Sequence, residues 1–530
     1  MTSGRACTIL CMRAIPFLLL AGSALTTRAP LAAQAVERTD TPKGGVLRVT
    51  FDPRILTWDR QFTDAGLESL GAPLTGDTIG GQHIPLLARL QQDVRTASGL
   101  PDFVATLGKG MLVAYREKRI TPLTAELGVT ARFSLAVTVP LVRVASRAAF
   151  KLSQASANLG PNPLAITGGS DQQYAQFFGQ FNTALTQLGD SVSAMCPARP
   201  ECTGAQALLA RGTQVRDALQ RTIYGVGGVQ SPFVPLASSN AGRGIDTTVA
   251  QIQRQLDTAY HVSGFTDALL LAADTLGTAA TFQDFIQGTA GDNGALVGWG
   301  YNPLRNAWRY GLGDIEIAAK YRLIVTPSYA AALGARVRLP TGTRDTTLEL
   351  FDASTADHVL GVEGRVIQEL TIAHRVWLNL ALRAGRERPG TRARRVSPPD
   401  AFLIPYQATT ELNWAPGDYA AADVAPLYRF TPQFAAGVTF GYWTKRADRY
   451  SYRTADDSLA IATVLGAATP ASVLDQGTSQ RWVRLGVALT YVGPAVEGGF
   501  TVERTVSGAG GQVAAATVYR LVLRVSRRLF

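Results

Sequence analysis

Charged side chains at alternate positions carry the clearest chemical signal in this chain. Residues 313–325 read GDIEIAAKYRLIV, in which Asp314, Glu316, Lys320 and Arg322 share one parity and Ile315, Ile317, Ala319, Tyr321 and Leu323 share the other. Successive side chains of a strand point to opposite faces, so the stretch makes a ribbon with one charged and one apolar face. A row of mixed charges does no covalent chemistry. It sorts ions and hydrogen-bonding solutes along a wet surface, or it pairs across strands to fill an interior.

Residues suited to covalent work are not arranged for it. His83, His261, His358 and His374 are scattered, and there is no H-E-x-x-H, Cys/His cluster, G-x-S-x-G elbow or Walker loop. No enzymatic activity, metal or cofactor is expected, and His374 is expected to cap the tight turn beside it. Cys196 and Cys202, in MCPARPEC, have neither C-x-x-C spacing nor a neighbouring histidine. In an exported chain such a pair oxidises, and a disulfide closing so short a loop is worth about 2 kcal/mol.

The elements that position the charges repeat the opening pattern. Residues 329–340 place Leu333, Ala335, Val337 and Leu339 opposite Gly334, Arg336 and Arg338; residues 374–385 place Val376, Leu378, Leu380 and Leu382 opposite Arg375, Trp377, Asn379 and Arg383. Val483, Leu485, Val487, Leu489 and Tyr491 alternate with Arg484, Gly486, Ala488 and Thr490, and two further ribbons flank Thr130-Ala131-Arg132. Such ribbons fit a soluble sandwich whose apolar faces meet, or a membrane barrel whose apolar faces meet lipid. They repeat at about nine to twelve residues per strand, close to the roughly 9 to 11 tilted residues that a bilayer-spanning strand takes. Links between them alternate short and long: Thr326-Pro327-Ser328, Ala373-His374 and Val492-Gly493-Pro494 are tight, whereas 340–357, 386–400 and 446–480 are long and polar. Barrels of the outer membrane have short periplasmic turns and longer outer loops. On that reading Asp314, Glu316, Lys320, Arg322, Arg336, Arg338, Glu363, Arg365, Glu369, Arg375, Arg383, Arg484, Glu497, Glu503, Arg520 and Arg524 line a lumen with an excess of arginine.

Targeting signals agree. Arg5 and Arg13 precede an apolar stretch from Ile15 to Leu25 and an Ala33-Gln34-Ala35 site, the order of a secretory signal peptide cleaved after Ala35. The stretch is too short to span a bilayer, which takes roughly 20 residues, and Cys7 and Cys11 precede it, so no lipid-modified cysteine follows the cleavage site. Removing residues 1–35 takes away Arg5, Arg13 and Arg28 and no acid, lowering the formal charge from +11 to +8. Anionic partners are favoured, and those of the membrane surface are nearer than nucleic acid, which is not expected as a partner. Glycine, at 52 of 530 residues, exceeds the usual share of about 7%, as suits turns and barrel interiors.

Residues 171–290 break the pattern with helical periodicity in DQQYAQFFGQFNTALTQLGD, TGAQALLARGTQVRDALQRTIYG and DTTVAQIQRQLDTAYHVSGF, for which Thr203 or Asp246 is a candidate cap. By the parity of the turns this insert is extracellular or lumenal. The chain ends VYRLVLRVSRRLF, with a terminal aromatic of the kind that barrels present to the barrel assembly machinery, although Tyr519, Leu521, Leu523 and Val525 are out of phase with Phe530.

GLGDIEIAAKYRL followed by GARVRLPTG resembles a motif of outer-membrane proteins of the phenol-degradation meta-pathway family, relatives in architecture of the long-chain fatty-acid and toluene channels. The resemblance covers residues 311–343 and, more weakly, the C-terminus; the helical insert and the segment before residue 108 have no counterpart in it. It implies a monomeric barrel that carries small or hydrophobic molecules. The expectations are therefore an all-β transmembrane protein, an antiparallel outer-membrane β-barrel of about 12 strands, within 10 to 14, with a helical insert. Residues 1–35 are the signal peptide, 36–107 an N-terminal segment that is periplasmic or holds the first strands, 108–170 the first barrel strands, 171–290 the insert and 291–530 the main barrel. Lipid and a small solute are the expected partners and passive transport the expected activity. A non-conducting barrel that displays its insert for binding or adhesion is the alternative.

Overall fold

The computed structural model describes residues 37–530 apart from 167–169, 197–200, 227–228, 284–299, 351–353, 398–400, 494–495 and positions 274, 277, 278, 280, 281, 303, 305 and 374. The signal peptide and His374 lie outside the described residues.

The alternating segments are strands of one antiparallel sheet. In chain order they are β1 (Val46–Phe51), β2 (Arg54–Trp58), β3 (Lys109–Gly128), β4 (Phe133–Ser153), β5 (Ala307–Leu312), β6 (Glu316–Val325), β7 (Tyr329–Arg338), β8 (Gly361–Ile372), β9 (Val376–Glu387), β10 (Tyr419–Arg429), β11 (Phe434–Lys445), β12 (Gln480–Val492), β13 (Val496–Ala509) and β14 (Thr517–Arg528). β1 and β2 run end to end between β3 and β14, and β5 and β6 run end to end along β4. The fourteen segments thus make twelve wall strands among the described residues. Pairing of the first wall strand with the last closes the circuit and leaves no free edge.

Parity then divides the wall. Val362 is 56% exposed on the outside while its neighbour Glu363 is 6% exposed on the inside. Val438 and Val487, paired across β11 and β12, are exposed outward, whereas Thr439, Ala488 and Thr490 are buried inward. Apolar outside and charged inside is the reverse of a water-soluble protein, and among the described residues no second sheet covers the apolar faces, which overturns the soluble-sandwich alternative. A closed barrel of this polarity is an outer-membrane barrel. At the rim with the short turns, the periplasmic one by the loop rule, Phe434 packs on Tyr491 at 5.0 Å and on Phe430 at 6.2 Å, the start of an aromatic girdle. β14 ends at Arg528, so Leu529 and Phe530 leave the ladder, which is why the terminal aromatic is out of phase with the strand.

At 20 and 21 residues, β3 and β4 rise well above the other strands. Their inward Leu112 and Phe150 share a core with Leu74, Ile79 and Leu87, so residues 59–107 stand at the outer end. There α1 (Pro85–Ser98) packs on α3 (Cys202–Tyr224) and α4 (Asn240–Tyr260), and α2 (Ser170–Met195) packs on α3. Phe181 stacks on Phe265 at 4.4 Å in the layer's own core. Ser239 caps α4 by accepting from the Gly242 N–H, and α3 starts at Cys202. Thr203 and Asp246, the caps expected from sequence, therefore lie inside helices that begin a residue or more earlier. Cys196 and Cys202 are disulfide-bonded, with Cα atoms 5.4 Å apart. Arg221 ties α3 to Asp93 of α1 at 2.7 Å, where burial pushes the Asp93 carboxyl up.

The long outer links have structure of their own. A ribbon of Gly390–Arg395, Thr409–Ala415 and Arg449–Tyr452 is tied to the 339–360 link through Asp345, which pairs with Arg394 and, at 2.7 Å, with Arg392. Burial pushes the Asp345 carboxyl up, but the two guanidiniums together outweigh it and hold it below the usual range.

Candidate functional site

The lumen gathers most of the charges that alternation singled out. Glu316 on β6 pairs with Arg336 on β7 at 2.7 Å and with Arg338 at 3.9 Å, and Arg338 reaches Glu387 on β9 at 3.0 Å. Lys320 lies 3.5 Å from Glu126, Arg484 lies 3.5 Å from Glu503, and Arg524 lies 3.9 Å from Glu497. Arg365 pairs with Glu363 and Arg383 with Asp423. Arg520 makes two hydrogen bonds to Asp52, at 2.7 and 2.8 Å. Each charge is taken out of bulk water and would be costly alone, so pairing is a condition of packing them in one bore.

Two of the sixteen alternating charges sit elsewhere. Asp314 precedes β6 and accepts from the Gly342 N–H at 2.9 Å, so it anchors the 339–360 link rather than facing an open bore. Arg375 lies in the turn before β9, exposed, and donates to the outward-facing Tyr428 hydroxyl at 3.4 Å. The expected lumenal position of Arg375 is thereby corrected: parity holds only where the ladder holds, and the ladder begins at Val376. Arg322 faces inward just before the bulge between Arg322 and Ile324. It and Lys118 on β3 have no ion-pair partner among the described residues.

The largest departure from the sequence reading is inside the bore. Residues 37–41 belong to no strand and run from the periplasmic rim into the lumen. Thr41 donates to the carbonyl of Ala131 in the β3–β4 turn at 3.2 Å, which fixes the segment at the rim. Asp40 accepts from Arg48 on β1 at 2.6 Å and lies 3.3 Å from Arg38. Glu37, deepest of the five, accepts from Arg365 at 2.5 Å. Arg38, only 6% exposed, lies 3.6 Å from Glu369 on β8 and 3.6 Å from Glu497 on β13. β8 and β13 are five steps apart in a circuit of twelve, so one guanidinium bridges nearly opposite walls at that level. On the same inward faces the Asn379 amide and the hydroxyls of Thr439, Thr490 and Thr501 are buried without a hydrogen-bond partner among the described residues.

Asp40, Arg48, Asp52, Arg54, Glu126, Glu387 and Asp423 were not among the charges read from sequence. Their signal was present in part: within VLRVTFDPRIL, Leu47, Val49, Phe51, Pro53 and Ile55 alternate with Arg48, Thr50, Asp52 and Arg54.

No family model matches the chain, and no curated protein matches it. Among solved structures it is similar to an outer membrane channel from Pseudomonas putida F1, with a TM-score of 0.40, 8% identity, and 93% of this chain and 99% of that chain covered. It is also similar to the CymD monoaromatic hydrocarbon channel, with a TM-score of 0.25, 8% identity, and 92% and 88% covered. A third neighbour is the translocator domain of the autotransporter NalP from Neisseria meningitidis, with a TM-score of 0.29, 7% identity, and 92% and 90% covered. Overlaps this loose add nothing to the barrel assignment, which stands on the closed hydrogen-bonded circuit and the inverted polarity of the wall.

Proposed function

We propose that the chain is a passive outer-membrane passage for small solutes, closed at rest by residues 37–41. The supporting observation is the Arg38 bridge. Glu369 and Glu497 are neutralised by a side chain that belongs to neither of their walls. A barrel sealed only for strength has no need of a separate peptide, because neighbouring strands supply complementary charges directly, as Arg484 and Glu503 do. The ladder of the first wall strand starts at Val46 and Leu47, so the segment ahead of it can leave by giving up its side-chain contacts without breaking a strand-to-strand backbone hydrogen bond. Lys118 and Arg322 would then favour anionic or hydrogen-bonding solutes, while the resemblance of residues 311–343 favours hydrophobic ones. No catalytic step is part of this reading.

A second reading is the non-conducting display barrel. It is favoured by the helical layer, which has its own aromatic core at the outer end. Planar-bilayer recordings and liposome swelling on the mature chain and on a version lacking residues 37–41 separate the two. On the transport reading the deletion raises conductance and swelling while both proteins stay heat-modifiable on gels. Two folded barrels that pass neither ions nor sugars would abandon transport and leave display.

A further inference from the structure

One region of the outer wall departs from the apolar exterior. From the periplasmic turn upward, the outward residues of β3 and β4 are apolar or small through Leu135, Val137, Val139, Leu141, Leu123 and Thr121, and then change abruptly. Arg119 faces outward directly across from Arg143, and four residues further Tyr115 faces Arg147. On the adjoining strand Tyr310 pairs with Arg143, and Trp308, 70% exposed, pairs with Ala145. The Arg143 guanidinium lies 5.9 Å from the Trp308 ring centroid and that of Arg147 lies 5.9 Å from the Tyr115 ring centroid. Arg119 is paired with Glu117.

Height decides what this patch meets. Arg119 is nine residues above Gly128 on the same strand, which at about 3.4 Å per residue and a tilt near 40° places it about 23 Å above the periplasmic rim. An apolar band is about 25 Å tall, so Arg119 and Arg143 stand at the outer hydrocarbon boundary and Arg147 stands one headgroup layer above it. Three guanidiniums against one carboxylate, two of them over aromatic faces at that depth, match a ligand with acyl chains below and phosphates above.

We propose that the outer face of β3, β4 and β5 is a docking site for the bisphosphorylated glycolipid of the outer leaflet, lipopolysaccharide, with Arg119, Arg143 and Arg147 on its phosphates and Trp308 and Tyr115 at its sugar–acyl boundary. The site lies on the lipid-facing exterior and is independent of whether the lumen conducts. Arg386, Arg481 and Arg504 provide an internal comparison. They are exposed on strands β9, β12 and β13 across the barrel, and no aromatic ring among the described residues carries them.

Native mass spectrometry of the full mature chain in detergent tests this, with bisphosphorylated lipid A, its dephosphorylated form and phosphatidylglycerol as probes. The wild type should bind bisphosphorylated lipid A in preference to both others. The variant R119Q/R143Q/R147Q should lose roughly a hundredfold in affinity, following the usual gain per cation at an anionic surface, and R386Q/R481Q/R504Q should lose much less. Should the first triple variant fail to fold, R143Q and R147Q singly should each lose about fivefold. Equal loss in the two triple variants, no loss in either single variant, or equal binding of phosphatidylglycerol by the wild type overturns the proposal.

Discussion

A charge placed on the lipid face should cost what its depth dictates. Val487 lies five residues above Val492 at the periplasmic end of β12, about 13 Å up a wall tilted near 40°, and so at the middle of an apolar band about 25 Å tall. Its side chain is 59% exposed and pairs laterally with Val438 and Val502, so no carboxylate is at hand to relieve a new cation. Val525 is 50% exposed and outward too, but it pairs with Val496 at the first residue of β13, at the rim. Arginine on a barrel exterior costs about 2–4 kcal/mol at the midplane and about 0–1 kcal/mol near an interface. Val487→Arg should therefore lower the folding equilibrium constant by roughly 30- to 700-fold, and Val525→Arg by less than about tenfold. Urea titrations in thin phosphatidylcholine vesicles, read as the folded fraction on unboiled gels, measure both. Equal costs at the two positions would refute the placement of the band, and a cost at Val487 below about 1 kcal/mol would refute its contact with hydrocarbon.

Two further outcomes follow from the outer layer. The Asp345 carboxyl is held below its ordinary range by Arg392 and Arg394. A depressed folded value stabilises above the unfolded pKa, near 3.9, and is lost as pH falls through the folded one. Hydrogen exchange of residues 341–347 and 390–395 should accordingly be flat from pH 8 to about pH 5 after correction for intrinsic rates, and should speed up only below about pH 4. A transition near neutrality would contradict the pairing. Reduction of Cys196–Cys202 removes a restraint worth about 2 kcal/mol, so protease should nick the α2–α3 connection faster while the barrel remains heat-modifiable. Loss of the barrel on reduction would mean that wall and helical layer fold as one unit.

Alternation was legible wherever the two faces differ strongly in polarity, as in β6, β7, β9 and β12. It faded in β10, where the inward residues include Ala421 and Ala425 and the faces barely differ in hydropathy. In the first wall strand Pro53 supplies no N–H to the ladder, so the alternation reads as two short pieces, and β1 and β2 are separate segments for that reason. Composition also misleads about tolerance inside the bore. Gly486 faces inward and looks permissive, yet a Cβ there would lie 2.3 Å from the Val502 carbonyl oxygen, and Asn379 is wholly buried. Neither position will accept Asp mildly, although parity alone suggests that both would. The Glu37–Asp40 segment was out of reach for another reason: its partners Arg365, Glu369 and Glu497 are some 330 or more residues away in sequence, and no local period encodes such a pairing.

On the proposed reading, closure and selectivity in this lumen are set by the same residues. With the 37–41 segment in place, Arg38 neutralises Glu369 and Glu497 near the periplasmic end, and Glu37 shares Arg365 with Glu363. Withdrawal of the segment removes two carboxylates, Glu37 and Asp40, and one guanidinium, Arg38, so the bore it leaves is more basic by one charge. It leaves Glu369 without its arginine and leaves Glu497 with only Arg524 at 3.9 Å, while Arg365 keeps Glu363 and Arg48 keeps Glu126. An opened bore would then hold Glu369 as its uncompensated acid, with Arg322 near the same rim and Lys118 above it as cations without an ion-pair partner among the described residues. Arg38 suits such a site, because Glu369 becomes uncompensated when the guanidinium leaves. On the proposed reading the open state carries an electrostatic cost that favours return of the segment, and that cost falls as salt screens the exposed Glu369.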